Sequence, residues 1–229
     1  YTGAPAGTQI PATSNIVTAL GSGRLAANTR FLFKGGETFN FPSTINIGVS
    51  GVTFGTWGTG KPTITHTDGV TDGFNLQNGI DDIIVMNWSL DAVTSGSGNV
   101  RWKNLFAVTA GTVGGRTNVL MLRVDTNKNS ALYDSGWTDG VFIVDCNGQN
   151  FTGGNGNVAL YAEISSRVAI LGSRIYDATG VEHCLRMQGS TKMVISNSDI
   201  ALPANSKAAV TIRGRSNQAI NGDKTTWSG

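Results

Sequence analysis

Ser165–Gly189 reads SSRVAILGSRIYDATGVEHCLRMQG, and Ser190–Gly214 reads STKMVISNSDIALPANSKAAVTIRG. Both segments are 25 residues long and align without a gap. Val168 meets Met193, Ile170 meets Ile195, Ser173 meets Ser198 and Ile175 meets Ile200. Further on, Leu185 meets Val210, Met187 meets Ile212 and Gly189 meets Gly214. Within each segment the apolar residues alternate at period 2 in two short runs separated by turn residues. Alternation of that period puts successive side chains on opposite faces of a β-strand.

The pattern extends upstream. Val141–Cys146 (VFIVDC) matches Val168–Ser173 at an offset of 27, and Val158 and Leu160 match Leu185 and Met187 at the same offset. Val119–Leu122, Ile83–Leu90 and Val52–Trp57 are further copies. About seven units fit between residues 45 and 220. A unit of this length with two or three strands and no helix cannot bury its own apolar side, so it must stack on its neighbours. The expected fold is all-β: a right-handed parallel β-helix of about seven coils, with coils about 4.8 Å apart. Residues 1–229 form one domain in this reading, with residues 1–30 as an irregular N-terminal cap.

Composition agrees. Gly (31), Asn (20), Ser (18) and Thr (26) account for 95 of the 229 residues, too much turn and β-prone polar residue for a large helical protein. A formal net charge of +2 with only 14% charged residues argues against a nucleic-acid binder. No apolar run approaches the roughly 20 residues of a membrane-spanning helix. The chain opens Tyr1-Thr2-Gly3, without Met or a signal-peptide pattern, which reads as a domain excised from a longer modular protein or a processed form. Cys146 and Cys184 permit at most one disulfide and read as buried thiols.

The stretch FLFKGGETF (Phe31–Phe39), followed by SGVTFGTWGTGKPTI (Ser50–Ile64), resembles the N-terminal coils of bacterial and phage β-helix proteins of the pectate-lyase-like superfamily. The resemblance implies extracellular work on polysaccharides, as a lyase, hydrolase or epimerase. It also implies the alternative of a non-catalytic β-helical carbohydrate-binding module joined to a plant-polysaccharide hydrolase, which would make a catalytic domain its neighbour.

Alternation then assigns faces. In the first strand of each unit Ile83/Val85, Val119/Met121, Val141/Ile143, Val168/Ile170 and Met193/Ile195 face inward. The opposite set, including Leu120, Leu122, Phe142 and Leu171, is nearly all apolar and is expected to be covered by chain or by a partner. In the second strand Phe74/Leu76, Val158/Leu160, Leu185/Met187 and Val210/Ile212 face inward. Outward there, Tyr161, Gln188 and Arg213 are expected in one column, with Arg186 beside it. Tyr133 falls near it one unit earlier, and Trp137 lies in the adjoining turn. An aromatic ring packs on the C–H face of a sugar while Gln and Arg donate to its hydroxyls or carboxylate. Trp88 shares the inward column of Cys146, Ser173 and Ser198.

Catalytic signatures are sparse. His66 and His183 lack acidic or cysteine partners at metal spacing. Asp68, Asp72, Asp81 and Asp82 are candidates for calcium by proximity only, so no cofactor is expected. No carboxylate pair is expected on the polar sheet. Arg186 with Tyr161 or His183 would be the best acid–base set. The reading that results is a non-catalytic, secreted module that binds a xylan-like plant cell-wall polysaccharide, without a nucleic-acid or membrane partner. A polysaccharide lyase or glycoside hydrolase, or a structural β-helix of a phage tailspike or adhesin, stands as the alternative.

Overall fold

The computed structural model describes residues 3–8, 10, 13–21, 23–66, 72–91, 104–108, 116–127, 131–136, 138–149, 160–163, 165–176, 183–201, 208–213, 219–220 and 223–224. In chain order the strands are β1 (Arg30–Lys34), β2 (Thr38–Phe41), β3 (Ile45–Ile47), β4 (Thr53–Trp57), β5 (Thr63–His66), β6 (Asp72–Leu76) and β7 (Asp81–Met86). They continue with β8 (Ser89–Asp91), β9 (Asn104–Val108), β10 (Arg116–Leu122), β11 (Asp125–Asn127), β12 (Ala131–Gly136), β13 (Thr138–Val144) and β14 (Asn147–Gln149). The last are β15 (Leu160–Glu163), β16 (Ser166–Leu171), β17 (Arg174–Ile175), β18 (His183–Gln188), β19 (Thr191–Ser196), β20 (Asp199–Ile200) and β21 (Ala208–Arg213), then a short antiparallel pair, β22 (Ala219–Ile220) and β23 (Asp223–Lys224).

Every third strand pairs in parallel, so the chain is an all-β parallel solenoid. Three seven-stranded sheets result: sheet I (β1, β4, β7, β10, β13, β16, β19), sheet II (β2, β5, β8, β11, β14, β17, β20) and sheet III (β3, β6, β9, β12, β15, β18, β21). The gapless alignment is the register itself, with Val168↔Met193, Ile170↔Ile195, Ile175↔Ile200, Leu185↔Val210 and Met187↔Ile212 paired.

The turn between sheets I and II is short and repeats its backbone on successive strands. Asn87, Arg123, Asp145 and Asn197 all take positive φ, and Gly172 occupies the equivalent place. Asn tolerates this left-handed region best among residues with a side chain. Four of these residues donate their N–H to the next strand: Asn87 to Leu122 O, Arg123 to Val144 O, Asp145 to Leu171 O and Gly172 to Ser196 O, at 2.9–3.0 Å. The turns therefore continue the ladder, and these backbone donors stay paired at the corner.

The core lies between the three sheets. Its first half is aromatic. Trp88 is fully buried, with ring centroids of Phe33, Phe54 and Phe74 at 5.0, 6.0 and 6.2 Å, and Phe54 stacks on Phe74 at 4.4 Å. The second half is aliphatic and includes Val141, Ile143, Val168, Ile170, Leu185 and Met187. Small polar residues in the inward column tie turns together: Cys146 N donates to Ser173 Oγ at 3.1 Å and Ser173 N to Ser198 Oγ at 3.2 Å.

The two ends differ. At the first, α1 (Ile16–Leu20) buries Ile16 and Leu20 on the core, capped by Asn15, whose side chain accepts from Thr18 N at 2.9 Å. So the N-terminal region contains a helix where the sequence reads as irregular. At the other end Ile195 and Ile212 keep their inward register yet are 39% and 65% exposed. They belong to the last strands of sheets I and III, with no further described strand on that side.

Both cysteines are free and buried. Burial pushes the Cys146 thiol up to about 11, and the Cys184 thiol is raised for the same reason. We expect the native protein at pH 8 to react with a disulfide reagent over hours rather than seconds, since the thiolate is the nucleophile. Two thiols should titrate rapidly after denaturation in guanidinium. Fast labelling of Cys146 in the native state would contradict its placement in the core.

Candidate functional site

Sheet III carries the residues expected to meet a ligand. One column of register positions, buried at Phe74 and Leu185, runs Ile45, Phe74, Phe106, Tyr133, Leu160, Leu185 and Val210. Next to it, at the alternate positions, runs Asn46, Asn75, Ala107, Asp134, Tyr161, Arg186 and Thr211. Two residues further along, Glu163, Gln188 and Arg213 are in register.

This corrects the expected columns. Tyr161 pairs with Arg186, and it is Glu163 that pairs with Gln188. The offset of 27 holds for Val141↔Val168, but Leu160 pairs with Leu185, an offset of 25. The longer connection after β14 absorbs the two residues, while Leu160 keeps the register position of Leu185. Tyr133 is likewise in register with Leu160, one residue out of phase with Tyr161; Asp134 holds Tyr161's position one strand earlier. Trp137, Val158 and Asp68 lie outside the described residues.

The new register also corrects the expectation of a sheet without a carboxylate pair. Asp134 and Glu163 both sit at positions of the Tyr161 alternation, one strand and two residues apart. With a strand spacing of about 4.8 Å and a rise of about 3.3 Å per residue, their backbone positions are about 8 Å apart.

Polar ladders are visible where side chains are described. At the first end of the sheet Asn75 Nδ2 donates to Asn46 Oδ1 at 3.0 Å, and Gln77 Nε2 donates to the same oxygen at 3.3 Å. Arg186 is half-buried, and Thr211 Oγ1 is 2.8 Å from Nδ1 of the buried His183. His183 is thus engaged in the wall of the solenoid. Two of the calcium candidates are engaged as well: Asp81 accepts from Thr117 Oγ1, and Asp82 accepts from Asn118 Nδ2 at 2.8 Å. Among the described residues there is no group of three or more His, Cys, Asp or Glu side chains able to hold a metal ion, and no helix is long and apolar enough to cross a membrane.

Two features escape a reading of the sequence. Arg116 is fully buried, with Nε donating to Leu76 O at 3.0 Å and Nη2 to Asn78 Oδ1 at 2.8 Å. It joins sheet I to the end of a sheet III strand. A cavity of about 360 Å³ lies at the helix-capped end, lined among others by Thr8, Arg24, Phe31, Glu37 and Trp57. By strand order it is remote from Tyr161 and Arg186.

No family model matches the chain, and no curated protein or solved structure matches it.

Proposed function

We propose that the protein binds an extended polysaccharide, xylan-like in the first instance, along the outer face of sheet III, as a secreted, non-catalytic carbohydrate-binding module. The observation that supports this reading is the register. Tyr161, Arg186 and Thr211 stand on successive strands, with Glu163, Gln188 and Arg213 beside them. A strand spacing of about 4.8 Å is close to the repeat of about 5 Å in a β-linked glycan, so successive sugars meet successive strands. Tyr supplies a face for sugar C–H groups, and Arg and Gln supply donors. In this reading the solenoid is a right-handed parallel β-helix of about seven coils, similar to the pectate-lyase-like superfamily.

A second reading has one specific observation in its favour. Asp134 and Glu163 occupy positions of the Tyr161 alternation on adjacent strands, two residues apart, and two carboxylates on one face are what a glycosidase needs as acid and base. Binding is common to both readings, and turnover separates them.

The test is calorimetry with xylan, cellulose and pectin beside an assay for reducing ends and unsaturated products. We expect a Kd of about 10–1000 μM for one glycan, because an open sheet encloses only part of each sugar. Tyr161→Ala and Arg186→Ala should each weaken it roughly tenfold. Wild-type affinity in both variants would remove the site from sheet III. Depolymerisation that is lost in Asp134→Asn or Glu163→Gln would replace the binding module by a hydrolase.

A further inference from the structure

The outer face of sheet I is organised as parallel ladders. Two are apolar: Ile84, Leu120, Phe142, Ala169 and Val194, and beside them Met86, Leu122, Val144 and Leu171, ending at Ser196. Most of these side chains are only half-buried, while Leu171 and Val194 are 36% and 47% exposed. The strip is not covered along its length by the described residues, so of the two covers expected from the sequence, chain or partner, the described chain does not supply the first. It is two residues wide and about 20 Å long over five strands.

A polar ladder borders it on the entry side. Asp82, Asn118, Gly140, Arg167 and Lys192 all take positive φ at the start of β7, β10, β13, β16 and β19. They lie against the apolar strip, since a Cβ on Gly140 would stand 3.0 Å from the Phe142 ring. The same Cβ would stand 2.9 Å from Asn118 Oδ1, so glycine here lets Arg167 Nη2 cross to Asn118 Oδ1 at 3.2 Å. Arg167 Nε also holds Asp139 at 2.6 Å, and that hydrogen bond keeps the Asp139 carboxyl below the usual carboxylate range.

Charge is sorted along this ladder. Asp81 and Asp82 stand at one end, Arg167 and Lys192 at the other. Asp82 and Lys192 lie four strands apart, about 19 Å, too far to pair within one molecule. On the opposite border Arg123 and Asp145 are on adjacent strands, so their charges cancel.

We propose that this face is a homodimer interface, in which two copies pack with their solenoid axes antiparallel, about a two-fold axis running along β13. The axis maps Asp82 onto Lys192 of the second copy, and Asn118 onto its Arg167. It maps Leu122 onto Leu171, Ile84 onto Val194, and Phe142 onto itself. The apolar strip meets its own image, and the sorted charges meet their opposites at both ends. Asp139 and Asp145, at the two borders of the strip, both lie on the axis opposite their own images; Asp139 is held by Arg167 of its own chain, and Arg123 of the same chain stands at the end of the strand beside Asp145. A two-fold axis along the solenoid would instead lay the entry-side ladder over the exit-side one, so Asp82 and Lys192 would not meet. Sheet III stays open in this dimer, so the inference is independent of the ligand that sheet binds.

The interface buries on the order of 1,000 Å² in total, at the small end of specific contacts, and a weak dimer with a Kd of about 10–100 μM is expected. Sedimentation equilibrium from 1 μM to 1 mM should show a monomer–dimer equilibrium in about that range. Lys192→Asp should weaken it roughly tenfold, counting both symmetry-related pairs, and Asp82→Lys added to it should restore most of the loss. Lys and Asp both already occupy this backbone position in the ladder, so these variants should fold, and circular dichroism checks it. Leu171→Arg should abolish dimerisation. A chain that is monomeric at about 1 mM overturns the proposal. So does a dimer indifferent to Leu171→Arg, or one in which the second charge reversal fails to restore what the first removed.

Discussion

Ile170→Asp is expected to yield no folded protein, while Leu171→Asp, one residue along the same strand, folds. Ile170 has no exposed surface and is in register with Ile143 and Ile195. A carboxylate there is buried without a partner, at a cost of several kcal/mol against a total stability of about 5–15 kcal/mol. The cost is compounded by the solenoid, since every coil is a floor for the next and a defect under β19 removes its support. Leu171 points to the other face and is already exposed, so a charge there is solvated. The measurement is far-UV circular dichroism and thermal melting of the two soluble fractions. Wild-type spectra and melting for Ile170→Asp would mean that alternation in β16 has been assigned to the wrong faces.

Trp88→Ala is expected to lose about 3–5 kcal/mol of unfolding free energy, the usual range for a large aromatic truncated in a core. Trp88 is fully enclosed and contacts Phe33 edge-on at 5.0 Å, with Phe54 and Phe74 beyond. Its Nε1 reaches Gly55 O at 3.5 Å, so the indole joins β8's turn to β4. A stiff aromatic cluster collapses poorly around a hole, which places the cost at the upper part of that range. Trp57→Ala, at a half-buried position, should cost about 1 kcal/mol and serves as the comparison. Urea unfolding followed by circular dichroism reads both. A Trp88→Ala loss below about 1 kcal/mol would show that the aromatic cluster does not hold the first half of the core.

The alternation in Val168–Leu171 and Met193–Ser196 is long enough to declare strands, faces and stacking on its own. A gapless repeat makes register a matter of counting, and Ile170 on Ile195 and Leu185 on Val210 follow from it. Sheet II was not legible in the same way. Strands such as Arg174–Ile175 and Asp199–Ile200 are two residues long and hold no period; hydrogen bonds to equivalent strands on neighbouring coils make them strands. The place of Tyr161 was missed for a related reason. Connections of unequal length precede β15 and β18, and only the register that sets Leu160 beside the buried Leu185 decides which alternate residues become neighbours. That decision put Glu163 beside Gln188, and Asp134 beside Tyr161. Arg116 and the sorted charges from Asp82 to Lys192 belong to the same class. Asp82 and Asn118, 36 residues apart in the chain, become neighbours because coils stack, and no linear pattern carries that proximity. The sequence by itself determined that this chain must stack parallel strands around an apolar interior, because no single repeat can bury its own side. Which polar residues stand together on the outside was decided by tertiary structure alone, through loops that absorb length until the core is in register.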